Sequence, residues 1–132
     1  MQTNSKIYHV ENLKYRITDP TNKWVEVVGV VGEKRSISKV VVPSSVTIGG
    51  VVYKVTSIGD MAFCNCKNLE SITILHSVTK VGFWAFWGCD NLTHITLPSS
   101  VISIGESAFS RCSSLRSIMI PHSMTSIGKQ IF

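Results

Sequence analysis

The sequence predicts a repeat solenoid, mainly β with short helical turns, closed at its N-terminal side by a β-hairpin cap. Two observations carry that expectation. Ile58-Gly59, Val81-Gly82, Ile104-Gly105 and Ile127-Gly128 recur every 23 residues, and Phe63, Phe86, Phe109 and Phe132 keep the same spacing. A fixed period of this length means stacked units, each burying its apolar edge against its neighbours. The 132 residues are 44% hydrophobic and 16% charged, too apolar for a disordered chain and enough for one modest core. No apolar run approaches the roughly 20 residues of a membrane helix, so membrane insertion is not expected.

Along the chain, Leu13, Tyr15 and Ile17 alternate with Lys14, Arg16 and Thr18, which describes a strand with one wet face. Asp19-Pro20-Thr21-Asn22 is a turn, and Trp24 to Val31 is a second β-rich run. Residues 7–31 therefore read as a capping hairpin, and the cap is placed at 1–36. The solenoid occupies 37–132, with about four coils of which the last is incomplete. Its first coil opens at Ile37, Val40, Val42 and Pro43, which match Leu92, Ile95, Leu97 and Pro98. An insertion at 46–55 sets two β-rich arms about Gly49-Gly50, a two-residue hairpin signal.

Each later coil has three parts. Leu92 to Leu97 alternates as a short half-buried strand ended by Pro98, and Val101 to Ile104 is a second extended segment closed by Gly105. Glu106 to Cys112 is long enough for about one helical turn, with Ala108 and Cys112 four apart and facing inward. The strand spacing predicts parallel pairing between coils. Cys66, Cys89 and Cys112 share one repeat position and predict a buried ladder of free thiols whose side chains point the same way. Cys64 falls outside that ladder. The last strand is expected at Leu115 to Ile120, with a neighbour on one side only. Such an edge predicts either fraying or self-association through the C-terminal face.

The pattern Leu-x-x-Ile-x-Ile-Pro-x-x-Val-x-x-Ile-Gly-x-x-Ala-Phe-x-x-Cys resembles the BspA-like class of leucine-rich repeats over residues 37–132. That resemblance implies a leucine-rich-repeat-like right-handed coil. It also implies a non-catalytic adhesion or protein-interaction module of a microbial surface or secreted protein, with a host matrix or cell-surface protein as partner. Location outside the cell follows from the resemblance alone, since the start, Met1 to Lys6, is polar and no signal-length apolar stretch follows it. The alternative is a structural spacer within a longer repeat protein, with no ligand of its own.

The residues themselves argue against chemistry. Ser36-x-x-Lys39, Ser77-x-x-Lys80 and Ser126-x-x-Lys129 have a nucleophile spacing, but 18 serines and nine lysines produce it readily and no companion motif follows. Cys64-Asn65-Cys66 lacks a partner pair in zinc spacing, and the histidines at 9, 76, 94 and 122 are scattered. Neither an enzyme, a metal nor a cofactor is expected. The net charge of +5 is concentrated before residue 56, where eight bases face four acids, yet no basic run exceeds Lys34-Arg35. Dispersed bases fit an ordinary solvated surface, and nucleic acid is not an expected partner.

Two surfaces remain as binding candidates. The outward positions of the strands form one row: Lys39, Val41, Ser71, Thr73, His94, Thr96, Ser117 and Met119. It has no aromatic anchor of the kind that dominates interface energy. The second is Phe83, Trp84 and Trp87, placed where neighbouring coils carry Asp60, Met61 and Cys64 or Glu106, Ser107 and Ser110. A helical turn would cluster them, either packed against the inserted hairpin or exposed as a patch for a partner.

Overall fold

The computed structural model describes residues 6–33 and 36–132, so Lys34-Arg35 lies outside the described residues. The chain begins with three antiparallel strands, β1 (Ile7–Val10), β2 (Leu13–Asp19) and β3 (Trp24–Val30). The expected hairpin thus gains a third strand. Alternation drives it: Leu13, Tyr15 and Ile17 are buried on one face of β2, and Val25 and Val27 meet them from β3. β4 (Lys39–Val42) opens the repeats. β5 (Ser45–Ile48) and β6 (Val51–Ile58) pair antiparallel about Gly49-Gly50, both at positive φ, which a tight two-residue turn requires.

From there, each repeat but the last gives one strand to each of two sheets. β7 (Ser71–Ile74) and β9 (His94–Thr96) follow β4 in a three-stranded parallel sheet, with Val40, Ile72 and Ile95 in register. β8 (Lys80–Val81), β10 (Ser103–Ile104) and β11 (Ser126–Ile127) extend β6 in parallel, and the large sheet runs β1-β2-β3-β6-β8-β10-β11. Ser57, Lys80, Ser103 and Ser126 align across it. The fold is mainly β and leucine-rich-repeat-like.

The core lies between the sheets and the turn segments. Phe63, Phe86 and Phe109 stack with centroids 5.3 Å apart and planes within 3° of parallel, and Phe132 continues the row at 6.2 Å. The cysteines of the ladder are buried beside them as free thiols, and Cys64 is buried as well. The Cys89 and Cys112 S–H groups also lie within donating distance of backbone carbonyls of the preceding repeat: Cys89 Sγ to Phe63 O at 3.1 Å and Cys112 Sγ to Phe86 O at 3.0 Å. The hydrogen bond with Cys112 and burial together hold the Cys89 thiol above its ordinary range.

Two expectations are corrected. The segments at 60–66, 83–89 and 106–112 contain no helix. Amides at alternate positions bond back three residues, as from Ala62 N to Gly59 O and from Cys64 N to Met61 O. The amides between them reach the next repeat, as from Met61 N to Phe83 O, Phe63 N to Ala85 O and Asn65 N to Trp87 O. A helix would spend those same amides within its own turn, so the stack and the helix compete for one set of donors. Ala108 and Cys112 still face inward, placed there by this chain of turns.

The second correction concerns residues 115–120, which form no strand. Ile72, covered on both sides, is 1% exposed, whereas Ile95 and Ile118 are half-buried and Ile120 is exposed. With Ile118 only half-buried and Ile120 exposed, a ladder there would order backbone for little apolar gain. The small sheet ends at β9, while the large sheet continues to β11.

The recurring glycine is explained by close approach and not by a left-handed backbone. A Cβ on Gly105 would strike the Phe83 backbone nitrogen and lie 2.7 Å from the Gly82 carbonyl carbon, and Gly128 meets Glu106 in the same way. Gly105→Ala should therefore cost about 1–3 kcal/mol, the usual range for overpacking. Urea unfolding of the variant checks this, and a loss below about 0.5 kcal/mol would mean that the repeats are not in such close contact.

Candidate functional site

Alternation of hydrogen bonds in the turn segments has a conformational consequence. Met61, Trp84, Ser107 and Gln130 occupy one row, each two residues after the glycine, and all four have φ between 51° and 58°. Asn65, Gly88 and Arg111 form a second row of left-handed residues. Side chains of the first row point away from the core, because Ala62, Phe63 and their equivalents already fill it. This row is therefore free of packing duty but conformationally costly for anything bulky.

In the second full repeat, aromatic residues occupy these outward positions. Phe83 is 42% exposed and Trp84 37%, and Trp87 is half-buried. The Trp84 and Trp87 rings stack with centroids 5.1 Å apart and planes 13° from parallel. Arg111, from the next repeat, holds its guanidinium over the Trp87 ring at 5.5 Å. Phe83 stands beside the pair with its backbone N–H donating to Asp60 Oδ1 at 3.0 Å. Sequence reading clustered these side chains on a helical turn. The structure stacks the two tryptophans without a helix, through the left-handed backbone at Trp84.

Two members of the surface escaped sequence reading. Met61 is the Trp84 equivalent in the preceding repeat and is 47% exposed, so it extends the apolar surface by one rung. Its signal was present in the row comparison, where a thioether stood among Ser107 and Gln130. Arg111 gave no such signal, since its cation–π contact depends on the stacking offset between repeats.

The strand row is placed differently. Lys39, Val41, Thr73, His94 and Thr96 are exposed on the small sheet, and Ser71 is half-buried. Ser117 and Met119 are exposed but do not belong to that sheet, because residues 115–120 leave it. The row is thereby shortened to three strands. Among the described residues, no group of three His, Cys, Asp or Glu side chains could hold a metal ion. No helix among them is long and apolar enough to cross a membrane.

An L-residue in the left-handed region costs about 1–2 kcal/mol, and an aromatic pair returns about 0.5–1.5 kcal/mol. Those terms nearly cancel for Trp84. Trp84→Asn, which tolerates this backbone, should leave the unfolding free energy within about 1 kcal/mol of the original. A loss above about 3 kcal/mol in chemical denaturation would make Trp84 a packing residue instead.

Comparison with known proteins comes to the same architecture. The family model of the BspA type leucine rich repeat region matches residues 33–132 in six copies. The chain is similar to a leucine-rich repeat protein from Bacteroides ovatus at 35% identity and a TM-score of 0.84, covering 92% of this chain and 31% of that one. It is similar to a leucine rich cell surface protein from Faecalibacterium prausnitzii at 32% identity and a TM-score of 0.84, covering 98% and 34%. A T. pallidum leucine rich repeat protein matches at 32% identity and a TM-score of 0.77, covering 93% and 54%. The chain thus spans about a third of the length of the first two. No curated protein matches it.

Proposed function

Because this chain belongs to the BspA-type leucine-rich repeat family, whose repeats generally serve protein interaction, we infer that it is a non-catalytic adhesion module that binds a protein partner through the patch of Met61, Phe83, Trp84, Trp87 and Arg111. The observation that carries this reading is Trp84 itself. A bulky side chain sits exposed at a left-handed position where Ser107 and Gln130 satisfy the fold. Residues held in sparsely populated backbone regions without a packing reason cluster at functional sites. Tryptophan and arginine are also the residue types enriched among interface hot spots, and here they occur together with one ring already stacked.

The strand row of Lys39, Val41, Thr73, His94 and Thr96 lacks such an anchor and is secondary in this reading. The name of the Faecalibacterium prausnitzii relative, a cell surface protein, supports placement at a microbial surface or outside the cell, within a solenoid longer than this chain. A host matrix or cell-surface protein is the partner that suits this placement.

A pull-down on a panel of immobilised matrix proteins tests the reading. The original chain should be retained by at least one, and the Trp84→Ser, Trp87→Ser double variant at least tenfold less. A variant altered at His94 and Thr96 should be retained as before. Retention by none of the panel would favour a spacer with no ligand. Loss in the strand-row variant alone would move the binding face to the small sheet.

A further inference from the structure

The bases of the N-terminal half are dispersed in sequence, but the registers of the large sheet gather several on one face. Leu13, Tyr15, Ile17, Val25, Val27, Val55, Ile58 and Val81 point into the core, so the positions alternating with them point out. Arg16 pairs with Glu26, Glu26 with Ser57, and Ser57 with Lys80. One step along the strands, Trp24 pairs with Lys54. Lys14 lies on the same face of β2. The outer face thus carries Lys14, Arg16, Lys54 and Lys80, with an exposed Trp24 beside Lys54.

The two acids at this face are engaged already. Glu26 is bonded to Arg16 at 2.9 Å. The Asp19 carboxylate accepts the backbone N–H groups of Thr21 and Asn22 at 3.0 and 2.9 Å, and the Asn22 side-chain amide at 2.9 Å. Lys14, Lys54 and Lys80 form no ion pair among the described residues. The face is therefore a cationic surface with a single aromatic platform and unsatisfied charge.

We propose that this face, through Trp24, Lys54 and Lys80 with Lys14 and Arg16 at its margin, binds a linear anionic polysaccharide. Trp24 stacks on a sugar ring, and the lysines pair with carboxylate or sulfate groups along the chain. Three features select that occupant. Lys54 and Lys80 stand about 10 Å apart, from three residues along one strand and one step across. A nucleic-acid strand places a charge about every 3.4 Å and is held on successive aromatic platforms. Sparse cations around one tryptophan match a polymer whose acid groups are separated by sugar rings. One mode of peptide binding, strand addition, needs an open sheet edge. The backbone groups of β3 and β6 are spent within the sheet, so this face offers side chains only.

The surface is separate from the tryptophan pair on the turns, so the two readings can fail independently. The test is chromatography of the whole chain on immobilised polygalacturonate and on immobilised dextran sulfate, eluted with salt. The original protein should be retained on at least one. Lys54→Ser, Lys80→Ser should bind at least tenfold more weakly, and Trp24→Ala should elute at lower salt. The Trp84→Ser, Trp87→Ser variant should elute as the original does. Lys39→Ser, Lys129→Ser removes the same charge elsewhere and should keep most of the retention. All these positions except the half-buried Trp87 are exposed, where substitutions usually stay within about 0.5 kcal/mol, and circular dichroism confirms folding. Absence of retention on both columns, or equal loss in the Lys39 and Lys129 variant, would overturn the proposal. So would equal or stronger retention on single-stranded DNA at the same salt.

Discussion

The interaction on which everything else depends is the backbone hydrogen bond between successive repeats. In the strands it is an ordinary parallel ladder. In the turn segments it takes every second amide, as in the bonds from Phe63 N to Ala85 O and from Phe86 N to Ala108 O. Meeting that demand forbids a helix, because the helix would consume the same donors. It also places two residues of each turn segment, four apart, in the left-handed region, as Met61 and Asn65, and brings Gly82, Gly105 and Gly128 against the preceding backbone. Stacked phenylalanines and thiols donating to phenylalanine carbonyls then follow from a constant step between coils.

This constraint separates positions that build from positions that are free to bind. Inward residues repeat closely, as Ala62, Ala85 and Ala108 or Phe63, Phe86 and Phe109 do. Outward residues of the turns do not repeat, and only one repeat carries aromatic side chains there. The large sheet follows the same division. Its inner face is aliphatic and aromatic, and its outer face collects charges, Lys54 and Lys80 exposed among them. A stack of this kind can change its outer rows from repeat to repeat while its backbone stays fixed.

Much of this was legible in the sequence because the period is short and the core residues are unambiguous. The hairpin about Gly49-Gly50 could be placed from turn chemistry alone. The helical turn was misjudged for a physical reason: Ala108 and Cys112 are four apart in either conformation, and local spacing does not reveal where an amide finds its acceptor. Residues 115–120 have the pattern of a strand, but pairing depends on how much apolar surface the ladder buries, which no local window contains. Of the aromatic patch, Phe83, Trp84 and Trp87 were visible as departures from the row. Arg111 was not, since its contact is set by the offset between repeats. The gathering of Arg16, Lys54 and Lys80 was invisible for the same reason, as register is a three-dimensional property.

The central claim is that the turn segments are held by the neighbouring repeat and not by themselves. Scalar couplings across hydrogen bonds, measured by NMR on isotopically labelled protein, report it directly. The account predicts a correlation from the Phe63 amide nitrogen to the Ala85 carbonyl carbon, and from Phe86 to Ala108. Correlations from Phe63 to Gly59 and from Phe86 to Gly82, the four-residue pattern of a helix, would contradict it.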